Sequence, residues 1–248
     1  MNPDQFRAAL AGADVLLMGL DGDLTERMVE DLQLIRSSGY HLRDIIGDIL
    51  DMSKIEAGRL ELIIEPFDVE RIAGELMATA APLAEQKGLT LKLNIARDVG
   101  PLVADRTRVR QVLWNLIGNA IKFTEKGMVT TTIKSEQIGE KLNLHFIISD
   151  TGIGIEQSSI AKIFESFEQA YSDTTRKFGG TGLGLAISKK ILGLLGGKIW
   201  VASIEGEGSV FSFTIPIKYV PIKSIVEPFP INIETLRKNS KNPISVSY

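Results

Sequence analysis

Arg110-Gln-Val-Leu-Trp-Asn-Leu-Ile-Gly-Asn-Ala-Ile-Lys-Phe-Thr124 is the stretch from which the rest of the chain is read. Residues 105–122 carry the apolar periodicity of a strong amphipathic helix. Asn115 and Asn119, four apart, share one face of it, and Lys122 follows three residues on. An amide oxygen is a hard ligand for Mg2+, and a lysine neutralises phosphate charge, so this turn could serve a polyphosphate. Alone the pattern is moderately specific, because buried asparagines also brace cores.

Downstream, Asp150-Thr-Gly-Ile-Gly-Ile155 follows an apolar strand in which Leu144, Phe146, Ile148 and Asp150 share one face. That places a carboxylate at the end of a buried row, able to accept a hydrogen bond from an adenine amino group. Gly152 and Gly154 let the backbone turn tightly beside a flat base. A solvated turn aspartate is the plainer alternative. Lys177-Phe-Gly-Gly-Thr-Gly-Leu-Gly-Leu185 then opens a helix, with glycines at 179, 180, 182 and 184 exposing amides where phosphates bind. It lacks the spacing of a Walker loop, and it does not follow a strand as a dinucleotide fold requires. Gly206-Glu-Gly208-Ser209 reads equally well as a hairpin turn.

Outward from these motifs, residues 60–64 and 89–95 read as strands separated by a helix over 69–86. Strands are expected at 128–134 and 142–150 with a turn near Gly139, then a helix over 182–195 and strands at 198–204 and 210–217. Helices among mostly antiparallel strands imply an α+β chain ending in a two-layer α/β sandwich. Before it, Phe6, Leu10, Ala13, Leu17 and Leu20 stripe one helix, started by Asn2-Pro3-Asp4. Asp21-Gly22-Asp23 breaks the pattern, Asp23 or Thr25 can cap a second helix, and Met28, Leu32, Ile35, Leu42, Ile46 and Ile49 continue the same register. Two such helices cannot bury their stripes against each other, so a second copy completing a four-helix bundle is expected. The alternative is packing on the rest of the chain. Three parts result: a dimerising hairpin at 1–59, a catalytic nucleotide-binding domain at 60–218, and a tail or linker at 219–248.

The 248 residues are 44% hydrophobic and 24% charged, as for a soluble globular protein. A formal charge of −3 argues against a general nucleic-acid partner. The absence of cysteine excludes disulfides, thiolate metal sites and cysteine nucleophiles. Apolar runs fall short of the ~20 residues that span a bilayer, and no signal segment opens the chain. A cytoplasmic location is expected, with a membrane anchor left to any longer parent. Arginine concentrates before Arg110 and lysine after Lys122, which suggests two joined parent sequences or chance.

Together these segments resemble the N, G1, F, G2 and G3 boxes of histidine kinases, within the ATPase superfamily of Hsp90, gyrase and MutL. The F box is Ile163-Phe-Glu-Ser-Phe-Glu-Gln169, and the likeness spans roughly residues 25–217. Ile35-Arg-Ser-Ser-Gly-Tyr-His-Leu42 through Asp51-Met-Ser-Lys-Ile-Glu-Ala-Gly58 resembles the second dimerisation helix of hybrid-type kinases. The resemblance implies that Asn119 holds Mg2+, Lys122 meets phosphate, and Asp150 reads adenine. It further implies ATP contacts from Gly152, Gly154, Phe164, Phe167, Gly180, Thr181, Gly182, Leu183 and Gly184. A lid over about 169–180 would bring in Arg176 or Lys177. Partners implied are a second copy and the receiver domain of a response regulator.

Position 115 chooses within the superfamily. Its hydrolysing members carry a glutamate base one turn before the metal asparagine, and Asn115 accepts no proton at neutral pH. Phosphotransfer is therefore favoured over an Hsp90-type ATPase, with Asn115, Asn119 and Lys122 as the catalytic set. One element is missing. The acceptor histidine of the family should fall near residues 2–5, where Asn2-Pro3-Asp4-Gln5 stands, and only His41 and His145 exist, neither well placed. No phospho-acceptor is assigned. A truncated or altered acceptor motif, a pseudokinase or a fused partner would each account for this. Failure to autophosphorylate is expected, with a nucleotide-binding pseudokinase or signalling scaffold as the alternative.

Overall fold

A computed structural model describes residues 3–19, 22–166 and 182–217, with side chains from Ala8 onward except those of residues 9 and 10. Helix α1, Pro3–Leu17, and helix α2, Glu26–Glu56, form the expected hairpin. Thr25 caps α2 by accepting the Met28 amide at 3.3 Å, and the helix runs through Gly39 unbroken. Asp14 of α1 joins the two, accepting the Tyr40 hydroxyl at 2.8 Å and lying 3.6 Å from Arg36. The apolar stripe of α2 stays wet: Met28, Ile35, Leu42, Ile46 and Ile49 are 44–59% exposed. Leu20, Asp21 and the tail at 219–248 lie outside the described residues.

The remainder is built on a five-stranded sheet. Its strands are β2 (Thr90–Ile95), β4 (Met128–Ile138), β5 (Lys141–Asp150), β6 (Lys198–Ile204) and β7 (Gly208–Pro216), in the order β2-β4-β5-β7-β6. Only the β2–β4 pair is parallel. Helices α3 (Val69–Glu85), α4 (Arg106–Phe123) and α5 (Gly184–Leu194) complete the α/β layer. The core forms as strand alternation and helix periodicity dictate. Leu144, Phe146 and Ile148 of β5 are fully buried with Val109, Val112, Leu113, Leu116 and Ile117 of α4, and Phe146 stacks on Phe213 at 4.4 Å. At about 25 cal/mol per Å2, burial of this kind is the main force holding the layers together.

One expected strand is displaced. Residues 60–64 are unpaired, and the strand β1 is the next three, Glu65–Phe67, set antiparallel against β3, Leu102–Ala104. The reason is a hydrogen bond: the Ile63 amide donates to Asp105 Oδ2 at 3.0 Å, so a side chain takes the place of a ladder partner. Asp105 also caps α4 through the Arg108 amide at 3.0 Å. Among the described residues no helix is long and apolar enough to cross a membrane.

The end of α2 meets this layer. Asp51 Oδ2 accepts from Arg108 at 2.7 Å and from Gln111 at 2.9 Å, and Lys190 of α5 reaches Glu56 at 3.2 Å. Met52 is buried beside these contacts in the common core.

Candidate nucleotide site

Hydrogen bonds to the backbone carbonyls of the last turn of α4 shape the site. Ala120 O takes both the amide and the hydroxyl of Thr124, at 3.1 and 2.6 Å. Ile121 O and Lys122 O both accept from Lys87 Nζ at 2.8 Å, a cation at the negative end of the helix dipole. Phe123 O accepts the Ile153 amide at 3.2 Å, which ties the helix end to the loop after β5. Asn119 and Lys122 are thereby held in register with Asp150.

Asp150 ends the buried row of β5, only 7% exposed, as alternation predicted. Its Oδ1 accepts the Gly152 amide at 2.9 Å. Burial pushes its pKa above the ordinary aspartate value, opposed by hydrogen bonds from the amides of Gly152 and Ser209. Gly152 has a steric reason: a Cβ there would stand 2.5 Å from Phe123 O. Gly154 has two, a φ of +68° and a phantom Cβ 2.0 Å from Ile204 O.

The hairpin turn between β6 and β7 is a turn, and it also abuts this loop. Gly206 N donates to Ile153 O at 2.8 Å, and Gly208 leaves no room for a side chain against Asp150 O. Ser203, which the sequence did not single out, holds the two loops together. Its Oγ accepts the Ile155 amide at 2.8 Å, donates to Gly208 O at 2.8 Å, and touches Ser209 Oγ at 2.9 Å.

Asn115 and Asn119 do share a face: Asn119 Nδ2 donates to Asn115 Oδ1 at 3.4 Å, and Asn115 Nδ2 donates to Ser188 of α5 at 3.1 Å. Lys122 lies 4.9 Å over the Phe123 ring, and burial lowers its pKa below the usual lysine value. Gly182 adopts a φ of +69°, and α5 begins at Gly184 after Leu183, which makes no side-chain cap, so amides rather than a hydroxyl front the helix start. Phe164 packs partly buried on the core, 5.9 Å beneath Lys189. Phe167, Arg176, Lys177, Gly180 and Thr181 lie outside the described residues.

The donor set suits Mg2+. Asn119 Oδ1 accepts no hydrogen bond among the described residues, its nitrogen being committed to Asn115, and a neutral oxygen is the hard donor such an ion takes. Of the two histidines, His41 lies on the surface of α2. His145 is buried on the far face of β5, its ring 5.1 Å from Trp200 and its Nδ1 2.6 Å from Glu136.

Comparison with known proteins gives a consistent set of matches. Residues 104–219 match the family described as histidine kinase-, DNA gyrase B-, and HSP90-like ATPase. An uncharacterized sensor-like histidine kinase of Rhizobium meliloti is 42% identical over 212 residues, covering 85% of this chain and 40% of that protein. The structure of full-length ShkA in complex with AMPPNP superposes with a TM-score of 0.68 at 30% identity, over 89% of this chain and 47% of the other. The catalytic domain of histidine kinase ThkA matches at 32% identity and a TM-score of 0.51, over 62% of this chain and 96% of that domain. The chain spans well under half the length of the first curated relatives it matches, 40% and 28% for two of them.

Proposed function

The chain belongs to the histidine kinases, and on that premise we propose that it binds Mg·ATP at the C-terminal half of α4 for phosphoryl transfer to a histidine. What carries this reading is one physical linkage. A desolvated carboxylate, Asp150, is fastened through Gly152 and the Ile153–Phe123 hydrogen bond to the helix turn bearing Asn119 and Lys122. In the proposed arrangement Asp150 accepts the adenine amino group and Gly152 and Gly154 let the base lie against backbone. Phe164 lines the site, and Gly182, Leu183 and Gly184 offer amides to phosphate. Lys122 adds positive charge, and Asn119 Oδ1 ligates the metal. Mg2+, when bound, neutralises and orients the phosphate oxygens. Phe167, Arg176, Lys177, Gly180 and Thr181 join the site on the family pattern alone.

Asn115 supports transfer over hydrolysis, because an amide held between Ser188 and Asn119 takes no proton from water. The acceptor is the open half of the proposal. Neither exposed His41 on α2 nor buried His145 replaces a histidine near residues 2–5, so the chain binds Mg·ATP without forming acid-labile phosphohistidine on itself. A separate histidine-bearing bundle domain is its substrate, and positioning would supply much of the rate. A nucleotide-binding pseudokinase or signalling scaffold is the second reading, favoured by that same missing imidazole. Phosphotransfer to a supplied histidine-bearing domain separates the two.

Further proposals concern the surroundings: a homodimer through the wet stripe of α2, a response-regulator receiver as phosphoryl recipient, and a cytoplasmic setting where ATP is available. We further propose the division into a dimerising hairpin at 1–59, a catalytic domain at 60–218 and a linker beyond. The test is titration of a non-hydrolysable ATP analogue with and without Mg2+, on the wild-type chain and on Asn119→Ala. Tight binding that strengthens with Mg2+ only when Asn119 is present is expected. Binding indifferent to Asn119 would overturn the metal assignment, and no binding would overturn the whole reading.

A further inference from the structure

We propose that Lys87 is a positioning residue for Lys122, setting the phosphate half of the site against its adenine half. The proposal rests on the reading of Lys122 as a phosphate contact and adds the group that holds it in place. Lys87 lies on the turn between α3 and β2, ahead of the residues 104–219 that match the family.

The turn aims the side chain. Leu89 N donates to Ala84 O at 2.9 Å and Gly88 N to Glu85 O at 2.9 Å, with Gly88 at a φ of +65° that suits glycine. Leu89 is buried, and Thr90 N donates to Gly127 O at 2.9 Å, which pins the turn beside the exit of α4. From there Lys87 Nζ donates to Ile121 O and Lys122 O at 2.8 Å and to Thr124 O at 3.3 Å. The polarity runs one way only, because an ammonium accepts nothing and a carbonyl donates nothing. Phe123 O, between the carbonyls so held, takes the Ile153 amide instead. The backbone of Lys122 is thus tied on one side to Lys87 and, through Phe123, on the other to the loop after β5. That loop has anchors of its own: Gly206 N donates to Ile153 O and Ile155 N to Ser203 Oγ, both at 2.8 Å. A helix end whose carbonyls lose their partners frays. Removing the Lys87 ammonium should therefore loosen Lys122 and leave Asp150 with its loop in place.

A surface cation can also attract phosphate through solvent or merely steady the fold, and the test separates these roles. Lys87→Met keeps the side-chain stem and should fold. The readout is the ratio of affinities for a non-hydrolysable ATP analogue and for adenosine, both with Mg2+, from chemical-shift titrations at low and high salt. We expect Lys87→Met to lower that ratio roughly three- to tenfold, the effect of the charge-assisted hydrogen bonds lost, with adenosine affinity unchanged. The loss should persist at high salt, which screens attraction across solvent but not the placement of a backbone. In a Lys122→Ala background Lys87→Met should add nothing, because the side chain it places is gone. An unchanged ratio, an equal loss for both ligands, a loss that vanishes at high salt, or additive losses in the double variant would each overturn the proposal. Lys122→Ala is run beside them. If it leaves the ratio unchanged, the phosphate assignment has failed and the positioning role falls with it; if it lowers the ratio while Lys87→Met does not, the positioning role alone has failed.

Discussion

Helices α2 and α4 carry similar apolar stripes in sequence and meet opposite fates. Val109, Val112, Leu113, Leu116 and Ile117 of α4 are fully buried, whereas Met28, Ile35, Leu42, Ile46 and Ile49 of α2 remain about half exposed. Periodicity declares that a helix has an apolar face but does not say who covers it. In α4 the sheet covers it within the chain. In α2, before the end that meets the α/β layer, α1 covers the face only in part and leaves it about half exposed.

The largest effect that sharpens this contrast is expected from Leu113→Ala. It leaves a cavity against the sheet and should cost about 2–5 kcal/mol, read by denaturant unfolding, independently of protein concentration. Ile46→Asp should behave differently. If the α2 stripe is a dimer seam, the variant sediments as a monomer where the wild-type chain is a dimer, with stability that depends on concentration only in the wild type. A wild-type chain that sediments as a monomer would end the dimer proposal.

Asp150→Asn comes next and sets stability against function. Burial raises this carboxyl's pKa on folding, so its favourable contribution is complete below the ordinary aspartate value and is lost as pH rises through the raised one. The ligand-free variant should therefore melt higher than wild type at neutral pH. It should bind the ATP analogue about ten- to a hundredfold more weakly, because with Oδ1 on Gly152 the remaining end would be a donor facing the adenine amine. In the wild type, affinity should fall on acidification through that raised pKa; a flat profile would remove Asp150 from the adenine site. The smallest effect is expected from Lys87→Met, about 1 kcal/mol of stability, recovered by no change elsewhere because two carbonyls of α4 lose their partner.

The sequence carried most of the architecture because the core is regular. The β6 boundaries, the Asp105 end of α4 and the burial of Asp150 all follow from alternation or capping. The displaced strand at 60–64 shows the limit. Pro66 interrupts the apolar signal of β1, and its partner β3 is three residues long, too short for any period to register. In the site, the amides and glycines were legible as motifs, since spacing itself expresses their geometry. Lys87, Ser188 and Ser203 were not. Each makes its decisive contact across the fold, Lys87 over 34 residues and Ser188 over 73, and a lone lysine or serine bears no pattern that marks such a bond.

Asp51 gives the junction of the two regions an angular setting. One carboxylate oxygen serves both Arg108 and Gln111, with Asp51 and Arg108 only 18% exposed. A helix advances about 100° per residue. Turning α2 by a single residue step would therefore swing that oxygen clear of both donors at once, so the joint engages in one orientation, like a key in its ward, and gives no purchase in between.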